Sequence, residues 1–402
     1  MKRSLSIFTL LLCCILVISA QSPIIVLTHA NVIDGIGNEP LRDATVTIRD
    51  GKIASVSTGS ATTPAGAQVI DLQGRWVLPG LIDTHTHIGD MDAARAALLS
   101  GVTTARNMGI SHFVDIGIRE LNRRGVVDLP DMLSAGYHVY PSPREGLFLD
   151  FPQLSDLMGG LRGIDAVRRV TRAQIERGID VIKVNATDRA GTVSTDPRKQ
   201  LYSEEEMAAI VEEARKARLY VAAHAHGDEG GYAAVRAGVR SIEHGTYLSR
   251  KMLELMKERG TYLVPTIATM AEMIEPRNDV ALQIRGKHMV PRLRETAALA
   301  VKMGVRIAAG TDTDYTSTSN FRLVNEMMEL VRAGMSPMEA IKAGTAYSAD
   351  CLGIDGRTGR IKPGLEADLI VVERDPLSYL ESALDVLMVV NNGKVAINRL
   401  SR

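Results

Sequence analysis

Aromatic side chains make up only 4% of the 402 residues, with a single tryptophan, and there are three cysteines. Two of these, Cys13 and Cys14, fall within the first twenty residues, so a chain trimmed there keeps only Cys351. No intrachain disulfide is then possible, and stability must come from core packing or bound metal. Charge of either sign is not in excess, with 47 Lys plus Arg against 47 Asp plus Glu. A nucleic-acid binder would carry a basic surplus, so nucleic acid is excluded as the expected partner. The chain has neither an internal repeat nor a low-complexity stretch. Its 45% apolar and 23% charged residues exclude disorder.

An apolar run from Leu5 to Val17 is shorter than the roughly 20 residues a membrane span needs. Lys2 and Arg3 precede it and Ile18-Ser19-Ala20 follows, which predicts a secretory signal over 1–20. A secreted or periplasmic protein is expected, without stable membrane insertion once the signal is removed.

Short strand-like pieces separated by turns occupy the start of the mature chain, with Asp50-Gly51 as a hairpin cue. Similar pieces return at the far end around Asn392-Gly393, so 21–77 and 358–402 are expected to pair into one β-sandwich domain. Between them, over 78–357, strand-like runs at 77–88, 103–108, 132–135, 181–185, 219–224, 241–243, 262–264 and 305–309 are interleaved with amphipathic segments such as 203–217 and 252–259. Eight strand–helix units of this spacing predict an α/β fold, a closed (β/α)8 TIM barrel. Ser336-Pro337-Met338-Glu339 predicts a capped helix start.

The chemistry lies at the strand ends. Two His-x-His pairs, His85/His87 and His224/His226, each close a predicted strand. Residues two apart on a strand face the same side, so both rings of a pair can enter a barrel mouth. His244 ends another strand and Asp312 follows the last one. Barrel active sites are built at these ends, and imidazoles with a carboxylate suit zinc or a similar divalent ion. His226 is open as a ligand or a pocket residue, and His29, His112 and His288 lie away from the strand ends. Lys183 sits in the apolar run Val181-Ile182-Lys183-Val184, where an unpaired ammonium is expensive. It is either paired with a carboxylate, or carboxylated to an anion able to bridge two metals.

Pro79-Gly80-Leu81-Ile82-Asp83-Thr84-His85-Thr86-His87 resembles the first-strand signature of the amidohydrolase superfamily. Ile182-Lys183-Val184, Val221 to Gly227, Ser241 to Gly245 and Gly310-Thr311-Asp312-Thr313 resemble its later signatures in the same order, and 361–369 is similar to its C-terminal sheet segment. The resemblance is nearest to the branch of imidazolonepropionase-like proteins and Xaa-Pro or Xaa-Arg dipeptidases, which includes ochratoxin-type amidases. It implies two divalent ions, expected as zinc, bridged by carboxylated Lys183 and a hydroxide. His85, His87 and Asp312 would hold one ion, and His224 and His244 the other. Asp312 would shuttle the proton, and hydrolysis of a dipeptide or N-acyl amino acid is expected. The alternatives are a non-peptide amide, lactone or cyclic imide as substrate, or an inactive binding protein of the same fold. His138, Tyr140, Arg144, His226 and Tyr262 are candidates for substrate contact, the arginine for a terminal carboxylate. Arg106-Asn107, Gly136-Tyr137-His138-Val139, Asn185 and Asp188 depart from the branch pattern in loops that would face substrate. A homo-oligomer is compatible with this reading.

Overall fold

The computed structural model describes residues 24–59 and 62–400, so the expected signal over 1–20 lies outside the described residues. Both termini contribute to one eight-stranded sheet. Its order is Lys394–Asn398, Val386–Asn391, Leu369–Val372, Trp76–Pro79, Ile25–Val32, Leu41–Arg49 and Lys52–Thr58, with Gln68–Asp71 alongside Ile25–Val32. Asp50-Gly51 and Asn392-Gly393 form its tight hairpins, and all four residues have positive φ, as such turns require. The termini therefore pair as expected, but in one continuous sheet where two stacked ones are predicted. The sheet curls until its two hairpin tips touch. A Cβ on Gly393 would lie 2.4 Å from Gly51 Cα. Ile25, Leu27, Val46, Ile48, Val371 and Met388 fill the core so enclosed.

The apolar run at 77–88 is two strands rather than one. Trp76–Pro79 pairs antiparallel with Leu369–Val372 in the terminal sheet, whereas Leu81–Thr86 pairs parallel with Val102–Asn107. The break falls at Gly80, where a Cβ would come within 2.2 Å of Thr103 Oγ1. Only glycine lets the chain cross so close to the neighbouring strand.

Leu81–Thr86, Val102–Asn107 and Asp131–Ser134 form one parallel sheet, and Val181–Asn185, Tyr220–Ala225, Ser241–His244 and Tyr262–Val264 form another. Asp180 N–H to Ser134 O (2.8 Å) and Val139 N–H to Lys183 O (2.8 Å) join them on one side. On the other side the expected eighth strand is reduced to a single bridge between Ile307 and Leu263. Even so, Ala308 N–H donates to Leu263 O (3.1 Å) and Thr84 N–H to Ala309 O (3.2 Å). Backbone hydrogen bonds thus link all eight segments in one circuit. Helices lie between most of them, including Glu204–Lys216, opened by a Ser203/Glu206 capping box, and helix Pro337–Ala343, opened by the expected Ser336/Glu339 box, follows the eighth.

Candidate active site

His85, Lys183, His224, His244 and Asp312 all converge at the C-terminal ends of the parallel strands. His85 Nε2 lies 3.2 Å from Asp312 Oδ1, and His87 Nε2 lies 3.0 Å from the same oxygen. Lys183 Nζ is 3.4 Å from His85 Nε2. His85, His244 and Asp312 form one group whose ligand atoms lie within 4.8 Å of one another, and His224, His226 and His244 form a second. His226 and His244 stack with ring centroids 4.9 Å apart. The imidazole left open by sequence is therefore buried within the cluster and does not line the cleft above it.

Every ring in the cluster is fixed through one nitrogen. His85 Nδ1 is bonded to Glu243 Oε2 (2.8 Å), His87 Nδ1 to Gly109 O (2.9 Å) and His224 Nε2 to Asp188 O (3.0 Å). His226 Nδ1 is bonded to Thr246 Oγ1 (2.8 Å) and His244 Nδ1 to Thr266 Oγ1 (2.7 Å). Outer partners of this kind fix tautomer and orientation, leaving the second nitrogen of each ring for a ligand. Burial pushes His224 and His244 well below the ordinary histidine range and His226 down to about 3, so these three rings are neutral. Neutral imidazole is the form that binds metal. His244 and Asp312 also hold positive φ, 74° and 60°, a conformation uncommon for non-glycine residues.

Lys183 is 2% exposed and has no carboxylate within ion-pair distance among the described residues. Burial lowers it to about 8, against the opposing pull of Glu243 and Asp312. The simple ion-pair reading of this lysine therefore has no partner. Asp312 is held well below the usual carboxylate range: burial would raise it, but His85 and His87 more than compensate.

Beneath the imidazoles lies a support layer that includes Arg106, which is buried in strand Val102–Asn107 and not in a loop facing substrate, where the sequence places it. Glu243 is fully buried between His85 and Arg106, whose Nη2 donates to its Oε1 at 2.9 Å. Burial acts to raise Glu243, yet Arg106 and His85 bring it down to about 2. Asp83 accepts from the Thr311 hydroxyl (2.7 Å) and the Tyr315 hydroxyl (2.8 Å), which ties the first strand to the loop bearing Asp312. A charged residue in an apolar strand is the signal that marks Lys183, and it marks Asp83, Arg106 and Glu243 equally.

A cleft of about 760 Å³ opens above His87 and Asp312. His138, Tyr140 and Arg144 line it. His138 stacks on His87 with centroids 5.8 Å apart, and the Tyr140 hydroxyl donates to Asp188 Oδ1 at 2.8 Å. Tyr262 is placed elsewhere. It begins its strand, at the end remote from the cleft, with its ring covered by Arg240 and Arg306. The strand name alone hides which end of a three-residue strand its side chain occupies. Arg189, Glu272 and Asp314 also line the cleft, and sequence reasoning missed them.

The model of the amidohydrolase family matches residues 76–396. The chain belongs to the amidohydrolase family. It is 29% identical to ochratoxinase of Aspergillus niger over 388 residues, 85% of this chain and 80% of that protein. A crystal structure of A. niger ochratoxinase superposes with a TM-score of 0.80 at 28% identity, covering 94% of this chain and 96% of the other. A crystal structure of a Xaa-Pro dipeptidase with methionine in its active site gives a TM-score of 0.84 at 27% identity, covering 93% of this chain and all of the other. Imidazolonepropionase of Acidiphilium cryptum is 28% identical over 373 residues, 83% of this chain and 88% of that one. The resemblance read from the motifs holds. As an amidohydrolase the protein is an enzyme, a hydrolase acting on carbon–nitrogen bonds.

Proposed function

We propose that this amidohydrolase is a secreted or periplasmic dipeptidase or N-acyl amino acid hydrolase, with residues 78–357 forming a closed (β/α)8 barrel around a pair of divalent ions. The carrying observation is that all five imidazoles of the cluster are anchored through one nitrogen, which leaves the other for a ligand. The donor set fits metal: His85, His87 and Asp312 would hold one ion, and His224 and His244 the other, with Lys183 between them as its carbamate. Zinc suits these nitrogen and oxygen donors. When bound, the ions supply Lewis acidity and water of lowered pKa. The protein's own part is positioning and proton transfer. Asp312, ionised at the floor of the cleft, takes the proton of the attacking water and delivers it to the leaving nitrogen. Arg144, on the wall, pairs with the substrate's terminal carboxylate. The basic head and apolar run over 1–20 support export.

The test is a panel of dipeptides, N-acyl amino acids, esters, lactones and cyclic imides offered to the metal-loaded mature protein. Release of the C-terminal amino acid from peptides or N-acyl derivatives is expected. Turnover of lactones or cyclic imides alone, or of nothing in the panel, would overturn the reading.

A further inference from the structure

Three arginines line the cleft, and they are not equivalent. Arg277 is held by Glu272 at 3.4 Å and by Thr318 O at 3.2 Å. Arg144 and Arg189 make no side-chain hydrogen bond or ion pair among the described residues. The facing carboxylates do not answer them. Glu272 belongs to Arg277, Asp312 to the imidazoles, and Asp314 Oδ1 accepts from both the backbone N–H and the hydroxyl of Thr316.

The backbone carrying Arg189 is nevertheless firmly built. Its N–H donates to Asp188 Oδ1 at 2.9 Å, and Asp188 also receives the Tyr140 hydroxyl. The loop that follows is clamped by Arg285, whose guanidinium donates to the carbonyls of Ala190 (2.7 Å), Thr192 (2.7 Å), Val193 (3.0 Å) and Thr195 (2.8 Å). An ordered backbone holds a free guanidinium at the wall of the cleft that His138 and Tyr140 also line. Planar guanidinium pairs strongly with carboxylate, so each free arginine in the cleft calls for an anionic partner on the substrate.

We infer that the substrate carries two carboxylates on its leaving residue, the α-carboxylate on Arg144 and a side-chain carboxylate on Arg189, so that the enzyme releases a C-terminal glutamate or aspartate. This rests on the proposed peptide or N-acyl amino acid hydrolysis and adds its specificity. Arg189 is a specificity determinant and moves no proton.

The decisive comparison uses isosteric pairs such as Ala-Glu against Ala-Gln. The metal-loaded enzyme should favour Ala-Glu in kcat/KM by about tenfold to a hundredfold, the scale of one charge-assisted hydrogen bond. Arg189→Gln should collapse that ratio toward one, and Arg189→Lys should restore part of it. Free L-glutamate and L-glutamine, titrated calorimetrically into the same protein, give a readout independent of turnover. Glutamate should bind more tightly, and Arg189→Gln should erase the difference. Equal turnover of both peptides, or a preference that survives Arg189→Gln, overturns the assignment while leaving the peptidase reading intact. If no peptide is cleaved but glutamate binds in an Arg189-dependent way, the peptidase reading falls and the dicarboxylate pocket stands. Equal binding of the two amino acids in that case removes both.

Discussion

Asp312 is where geometry and charge meet at the scale of a single residue. One carboxylate oxygen lies within 3.2 Å of two imidazoles, and the backbone beneath it holds a φ of 60°. A group so placed can both touch metal and carry a proton, and the two duties can be separated. Asp312→Asn keeps the shape and an oxygen donor but cannot accept a proton. It should lower kcat by roughly 10²–10⁴-fold, the range for a general acid–base group, with metal content followed by elemental analysis. Near-native kcat at full occupancy would leave the proton to another residue. Lys183 poses the complementary question. An ammonium beside two dications would be strongly repelled in a buried site, whereas its carbamate would attract them. Lys183→Ala should lose metal and activity together, and formate or propionate should restore part of both by filling the space. Lys183→Arg should recover neither, because guanidinium stays cationic at any working pH. An unmodified amine seen by mass spectrometry in active enzyme would exclude the bridge.

Glu326 shows how one element steadies another around the site. It projects from helix Leu323–Arg332 onto the first turn of helix Ile267–Glu272, where its Oε2 accepts from Ala268 N–H at 2.8 Å. The residue just before that turn, Thr266, holds His244. Glu326 is fully buried, its Oε1 has no partner, and burial raises it to about 8 despite those backbone donors. Unfolding returns it to roughly 4.3. The folded state therefore binds the proton more tightly. No penalty exists below about pH 4, one accumulates as pH rises toward 8, and it is constant above. Glu326→Gln keeps the acceptor and removes the titration, so its melting temperature should match the parent near pH 4 and exceed it at pH 8. Identical pH profiles would show that burial does not perturb this carboxyl. At this scale much was legible beforehand. Asp50-Gly51, Asn392-Gly393 and the Ser336 box each specify local geometry through their own side chains or φ values. The break at Gly80 was not, because it is set by Thr103 on the neighbouring strand, and the run around it is apolar throughout. The histidine pairs were legible because strand spacing alone puts two rings on one face. Arg189 was not, since only the loop clamped by Arg285 brings it to the cleft.

Across the whole molecule, the residues proposed to hold metal come from strand segments that are distant in sequence but joined in one hydrogen-bonded circuit. His85 lies on Leu81–Thr86, Lys183 on Val181–Asn185, His224 on Tyr220–Ala225 and His244 on Ser241–His244, and Asp312 follows the eighth segment. Among the described residues there is no disulfide to brace this circuit, since Cys351 is buried and free. The eighth segment makes no full ladder and is held by one bridge and isolated backbone bonds. Asp312 follows that segment directly, so ligation through Asp312 would cross-link it to the first, fourth, fifth and sixth strands. Anything bound to the folded state alone stabilises it, by about 4 kcal/mol for a ligand present at a thousand times its dissociation constant. For a chain of this length that corresponds to a rise of several degrees per ion, on the order of 5–10 °C for two. Exhaustive chelation should lower the melting temperature by that amount and zinc should restore it, with the change read by calorimetry. Lys183→Ala should melt near the chelated parent and respond little to chelator. A parent whose melting temperature is indifferent to chelation, with metal removal verified, would show that the strand circuit closes without the ions.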